Sequence, residues 1–419
     1  MRLARSKLEL DLQVLRGAPP WNIRERAELL SQRVFHGGGG YRLAYGMKRI
    51  EAVGEPIEGL SAAAYRVPTD RPEADGTFAW NSTTLILVTA RAGGQSGLGY
   101  TYADACIAPL ITTVLAQAIA QKNSFDIAGC WWAMQRAVRN LGREGLAACA
   151  ISAVDAALWD LKARSLGLAL ASLLGRCREA VPVYGSGGFT TYSDDELREQ
   201  LSGWVEQNGC RAVKMKIGSE PARDPHRVTV AREAIGEREL FVDANGALSA
   251  KEALRFVREC PEASLRWFEE PVSSDDVAGL HLIRERLPAG IDVAAGEYIY
   301  TLDGAEHLLA GDAVDVLQAD VTRCGGITGF LAIGWLCESR HIDLSGHCAP
   351  SLHRHVACAV PRLRHLEWFH DHVRIEQILF DGAPVAADGV IRPDLSRPGH
   401  GLEFKEQDAR RFAIQASGS

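Results

Sequence analysis

The sequence predicts an α/β fold: a parallel barrel of the triosephosphate-isomerase type, preceded by a lobe in which strands come first and helices follow. Two observations predict it. After Val181, short apolar runs alternate with amphipathic stretches of ten to sixteen residues, and eight such runs fit into fewer than 200 residues. Alternation at that spacing argues for βα units and a parallel sheet, and eight units in so short a span fit a barrel better than an open sheet. The second observation is that nearly every one of these runs ends in an ionisable residue. In such barrels the carboxyl ends of the strands form the active site.

Taken in order, residues 1–46 differ in character from the rest of the chain. They are rich in Arg and carry Pro19–Pro20 and four consecutive glycines, Gly37 to Gly40. Two readings stand side by side: a flexible extension, or a start placed upstream of a natural first residue at Met47. From Met47 to about Gly99 the pattern is β-rich. "MKRIEAVGEPIEG" alternates like a strand, and "STTLILVTA" (Ser82 to Ala90) is a β-branched run ended by the turn signal "AGGQSGLG". Tyr65 to Trp80, with Pro68, Pro72 and Gly76, reads as a long polar loop. Helical periodicity runs from about Ala103 to Leu174, strongest in "AACAISAVDAALWDLKARSLG", where Gly167 suits the C′ position.

The eight candidate strands are "VPVYG", "AVKMKIG", "ELFVDAN", "LRWFEEP", "IDVAAGE", "VDVLQAD", "IDLSGHC" and "HLEWFH". Two of the helices between them open with a capping box, Ser193 with Glu196 and Ser249 with Glu252. The tail beyond His370 reads as strand and turn, folding back on the first lobe. The expected organisation is an extension (1–46), a first domain (47–178), the barrel (179–370) and a returning segment (371–419).

The net charge of −7 leaves no basic footprint for nucleic acid. No run of 18 apolar residues is present, so no membrane span is expected. The ten cysteines are scattered without a C-x-x-C pair, and read as reduced thiols of a cytoplasmic protein.

The chemistry sits at the strand ends. Lys214 and Lys216 stand two apart on the second strand and so share a face; two ammonium groups there need anions. Asp243, Glu269 and Glu297 end the third, fourth and fifth strands, at spacings of 26 and 28 residues. Adjacent strands lie about 5 Å apart, so three carboxylates would repel strongly unless a cation joins them. An all-oxygen set favours a hard divalent ion, Mg²⁺ first, although salt bridges to Lys or Arg would also satisfy it. Lys216 is a candidate base, its pKa lowered by the neighbouring cation Lys214. Asp320 and His347 end the sixth and seventh strands, where an aspartate can fix the tautomer of a histidine. Seven of the twelve histidines fall between His341 and His372, so most are structural. Glu367, on the eighth strand, could donate a hydrogen bond to a substrate carboxylate if protonated.

The motifs "KMK", "DAN", "EEP" and "GE", with the strand-six Asp and strand-seven His, occur in an order that resembles the mandelate racemase group of the enolase superfamily. The resemblance runs from about Met47 to "RPGHGLEF". It implies a (β/α)7β TIM-type barrel with an N-terminal α+β capping domain. It implies Mg²⁺ on Asp243, Glu269 and Glu297, with Lys216 and the His347–Asp320 dyad as acid/base groups on opposite faces. Lys214, Asn245 and Glu367 become substrate-binding residues, and the loops around Tyr65–Trp80 and "GLGYTY" choose the substrate. A homo-oligomer is the expected state.

The expected reaction is abstraction of the proton α to a carboxylate, followed by expulsion of a β-hydroxyl to give a 2-keto-3-deoxy acid from a sugar acid. The alternatives are a racemase or epimerase of a 2-hydroxy acid, a cycloisomerase, or a binding protein without catalysis. A zinc hydrolase would want His-x-His at the end of the first strand, where "VYGSGG" has none, and a Schiff-base aldolase would use one lysine without the acids.

Overall fold

The computed structural model describes residues 54–414. The segment 1–46 and the first half of the strand expected over 47–59 lie outside them; its described part, 54–58, is not a strand and forms only an isolated bridge between Pro56 and Asn123. The described chain opens with an antiparallel sheet of β1 (Gly59–Ala74), β2 (Ala79–Ala92) and β3 (Gln95–Tyr102), in that order across the sheet. The Tyr65–Trp80 stretch is therefore a hairpin and not a loop. Pro68 and Pro72 are tolerated because β1 is an edge strand, free of a second ladder, and its register slips between Pro68 and Glu73. At the tip, Asp75 Oδ1 accepts from Thr77 N (2.6 Å) and Phe78 N (2.7 Å), a side-chain turn that closes the hairpin. The turn after β2 shrinks to Gly93 and Gly94, and "QSGLG" is strand.

Helices follow as expected: a broken one over 107–119, then α1 (Ile127–Ala137) and α2 (Leu146–Ser165). α2 ends at Leu166 with Gly167 in the left-handed region (φ +64), as its C′ position requires. β3 crosses α2 at close range. A Cβ on Gly99 would lie 2.2 Å from Ala153 O, so only glycine permits the approach.

The barrel strands are β4 (Val181–Gly187), β5 (Ala212–Lys216), β6 (Glu239–Asp243), β7 (Leu265–Glu269), β8 (Asp292–Ala295), β9 (Val316–Ala319), β10 (Asp343–Gly346) and β11 (Leu363–Phe369). Each pairs in parallel with the next, and β11 pairs with β4 to close the ring. Between them run α3 (Asp194–Glu206), α4 (Asp224–Ile235), α5 (Ala250–Glu259), α6 (Val277–Arg284), α7 (Leu302–Ala310), α8 (Gly326–Arg340) and α9 (Pro350–Val356), which makes the barrel (β/α)7β. Both capping boxes form.

The strand faces divide the work. Outward residues such as Val213 and Met215 are buried in the core against the helices. Inward residues stack in layers: Tyr184, Phe241, Trp267 and His365 fill the lower barrel with aromatic contacts. Lys214, Asp243, Glu269 and Glu367 lie on the same faces, one pleat nearer the carboxyl ends.

The first lobe docks through α2. Ser152 Oγ accepts from Gly325 N (2.9 Å) and Gly326 N (3.0 Å), and Asp155 accepts from Thr328 N (2.9 Å) and Oγ1 (2.6 Å). These are the donors a helix start leaves unpaired, here that of α8. Beyond β11 the tail begins with a helix, α10 (His370–Leu379), where strand and turn were expected. It then makes short pairings, and touches the first lobe where Ile414 N donates to Ala64 O (2.8 Å) and Tyr65 meets Phe404. All ten cysteines are free thiols. No helix among the described residues is long and apolar enough to cross a membrane.

Candidate active site

The period of two along β5 turns Lys214 and Lys216 inward together, and both are buried. Lys214 Nζ meets Glu269 Oε1, Glu367 Oε1 (2.8 Å) and Asp243 Oδ2 (3.2 Å), while Lys216 Nζ donates to Asp243 Oδ2 at 2.6 Å. The two ammonium groups thus share a bed of carboxyl groups drawn from β6, β7 and β11. Across the mouth, His347 Nδ1 donates to Asp320 Oδ2 at 2.8 Å, and its Nε2 lies 3.4 Å from Glu297 Oε2. Lys216 therefore meets one end of the Asp243–Glu269–Glu297 row and His347 the other.

The three acids present oxygens within 4.8 Å of one another. A small hard cation bound at about 2.1 Å spaces its ligand oxygens by roughly 3 to 4.2 Å, so the trio fits Mg²⁺ with little adjustment. Glu297 Oε2 and Asn245 Oδ1 are both buried and accept no hydrogen bond, which marks them as acceptors suited to a cation or its ligands. Trp267 Nε1 donates to Glu269 Oε2 (2.9 Å) and fixes that carboxylate from below.

Electrostatics corrects two expectations. Burial, the largest influence, and Lys214 push Lys216 towards its neutral form, but Asp243, Glu297 and Glu269 together outweigh them, and the ammonium titrates above its ordinary range. The paired lysine alone does not make a neutral base. Burial likewise pushes Glu367 up, yet Lys214 and His347 hold it well below the usual carboxylate range. It is ionised, accepts from Ser186 Oγ (2.6 Å) and Cys348 N (3.1 Å), and does not donate. Glu269 moves the other way: burial and Asp243 raise it to about 8 against the pull of Lys214. Asp320 is held low despite burial because His347 bonds to it. His347, disfavoured as a cation by burial, is raised well above its ordinary value by Cys348, Glu297, Glu367 and Asp320.

These groups open into a cavity of about 530 Å³ between barrel and first lobe. Lys216, Asn245, Glu297, His347 and Glu367 line its floor, and the hairpin and β3 ends supply Asp75, Trp80, Ser82, Thr84 and Asp104. Lys214, Asp243, Glu269 and Asp320 lie fully buried. All nine residues singled out from the sequence thus converge on one mouth. Sequence reasoning missed Arg323, 3.6 Å from both Glu297 and Asp320, although its i+3 spacing from Asp320 was a usable signal. It also missed Ser186, the inward residue of the first strand.

A closed parallel barrel under an α+β lobe, with three acids in a row flanked by a lysine pair and a His–Asp pair, is the architecture of the enolase superfamily of enzymes. The comparisons agree. Residues 63–175 match the mandelate racemase/muconate lactonizing enzyme N-terminal domain, and residues 196–409 the enolase C-terminal domain-like family. L-talarate/galactarate dehydratase from Salmonella typhimurium is 31% identical, over 89% of this chain and 94% of its own. Its structure liganded with Mg and L-lyxarohydroxamate superposes with a TM-score of 0.80, covering 90% of this chain and 98% of that one at 29% identity. 3,6-Anhydro-alpha-L-galactonate cycloisomerase from Streptomyces coelicolor is 31% identical, over 85% of this chain and 99% of its own. A mandelate racemase/muconate lactonizing enzyme-like protein from Rubrobacter xylanophilus is 52% identical with a TM-score of 0.83, covering 86% of this chain and all of that one. The chain belongs to the mandelate racemase/muconate lactonizing enzyme family.

Proposed function

We propose that this enzyme dehydrates a sugar acid to a 2-keto-3-deoxy acid, with Mg²⁺ held by Asp243, Glu269 and Glu297. The observation that carries the reading is the placing of two proton-handling groups at opposite ends of one carboxylate row, Lys216 on Asp243 and His347 beside Glu297. A Lys or His base beside Mg²⁺ is the pairing already known for this superfamily. Bound there, Mg²⁺ would supply positive charge to polarise the substrate carboxylate and would stand in for Lys216 as counter-ion of Asp243.

The chain's own residues do the rest. Lys216, able to shed its own proton once Asp243 is given over to the cation, takes the proton from the carbon α to the carboxylate. Lys214, on the same strand face, stabilises the negative charge that develops on the carboxylate oxygens. Glu367, ionised and held by Ser186, keeps Lys214 protonated for that task. His347, oriented by Asp320, delivers its proton to the departing β-hydroxyl, which leaves as water. The named dehydratase relative supports this outcome.

The same two-sided arrangement would also serve racemisation, in which His347 returns a proton to the opposite face. Incubating a panel of acid sugars with the enzyme and Mg²⁺ in D₂O separates the two. Loss of water with formation of a 2-keto acid is the expected result. α-Deuteration without loss of water would replace dehydration by racemisation.

A further inference from the structure

We infer that the substrate carries one carboxylate and a neutral polyol tail, an aldonate, and not an aldarate with a carboxylate at each end. The inference rests on the dehydratase reading and concerns the far wall of the same cavity. The floor presents Lys216 and Glu297 over the buried Lys214, Asp243 and Glu269, so the reacting carboxylate belongs there. Its far end then meets the first lobe, whose contribution to the wall includes two carboxylates, Asp75 and Asp104, and the hydroxyls of Ser82 and Thr84.

Both acids are fixed in place. Asp75 Oδ1 accepts from Thr77 and Phe78 at the hairpin tip. Asp104 Oδ1 accepts from Cys106 N at 2.8 Å, which holds its carboxyl below the usual range and keeps it ionised. A second substrate carboxylate arriving there meets like charge that cannot swing aside. A terminal hydroxymethyl group instead donates to either carboxylate and exchanges hydrogen bonds with the two hydroxyls. The guanidinium that lines this cavity, Arg323, is already committed. It lies 3.6 Å from Glu297 and Asp320 and donates to Glu297 O at 3.1 Å.

The test uses matched pairs of hexonates and hexarates sharing configuration from C2 to C5, assayed with Mg²⁺ for 2-keto-3-deoxy acid. For the configuration turned over best, kcat/KM for the hexonate should exceed that for the hexarate at least tenfold. Asp104→Arg, at an exposed position, should shift the ratio towards the hexarate at least tenfold with Tm unchanged, and Asp104→Asn by less. A wild-type enzyme that prefers the hexarate, or a ratio unmoved by Asp104→Arg, overturns the inference while leaving dehydration in place. If neither acid loses water although α-protons exchange with solvent, the dehydratase reading fails and takes this inference with it.

Discussion

Replacing Asp320 by Asn separates the orienting role of this carboxylate from its bulk. Asp320 Oδ1 accepts from Thr322 N and Thr322 Oγ1, both at 2.7 Å, while Oδ2 faces His347 Nδ1. The two Thr322 donors claim the amide oxygen of an asparagine, so its NH₂ must face the imidazole. His347 Nδ1 then has to accept, which selects the neutral tautomer with its proton on Nε2. A hydrogen bond to a charged group contributes about 1.5–3 kcal/mol, and losing it lowers the pKa of His347.

The sign follows from the role. As a general acid His347 works while protonated, so activity is present below its pKa and lost as pH rises through it. The alkaline limb of kcat/KM for Asp320→Asn should therefore move to lower pH, with a loss of ~10²- to 10⁴-fold at neutral pH. Stopped assays of 2-keto acid between pH 6 and 10 read both effects. A variant within threefold of wild type, with its alkaline limb unmoved, would refute the orienting role of Asp320.

EDTA should abolish turnover and Mg²⁺ restore it, and Glu297→Gln should weaken Mg²⁺ binding at least about tenfold by calorimetry; unchanged affinity would detach Glu297 from the metal. Gly99→Ala, which puts a Cβ 2.2 Å from Ala153 O, should cost about 1–3 kcal/mol and lower Tm by a few degrees; an unchanged Tm would mean that β3 and α2 can separate. Glu376 is buried among Tyr100, Ser351 and Tyr102, and burial raises its carboxyl from 4.5 to about 7. The folded state then holds its proton more tightly than the unfolded state, so this stability is present below pH 4.5 and lost as pH rises through 7. Glu376→Gln should remove that slope, worth about 3 kcal/mol, in denaturant titrations from pH 5 to 8; a variant that keeps the wild-type slope would place it elsewhere.

The barrel was legible because parallel strands buried on both faces read as short apolar runs, and because the site residues sit where those runs stop. Asp243, Glu269, Glu297, Asp320 and His347 each follow or end such a run, so order along the chain became order around the mouth. The hairpin was not legible. Pro68 and Pro72 read as breakers, and only the position of β1 at a sheet edge, a property of the whole sheet, excuses them. α10 was hidden for a different reason: its buried positions include Asp371, His372 and Glu376, polar groups satisfied inside the fold, so the apolar face of the helix is thinned to Ile375 and Leu379. The charge states of Lys216 and Glu367 were out of reach because each depends on which neighbour wins. Asp243 lies 2.6 Å from one and Lys214 lies 2.8 Å from the other, and sequence spacing gives neither distance.

Comparing Lys216→Ala with His347→Asn on one accepted sugar acid in D₂O, followed by proton NMR, tests the two-sided site most directly. Lys216→Ala should lose both α-proton exchange and product. His347→Asn should still exchange the α-proton while forming no 2-keto acid. If both variants lose exchange and product together, or if His347→Asn turns over normally, the two groups do not divide the proton transfers as the geometry requires.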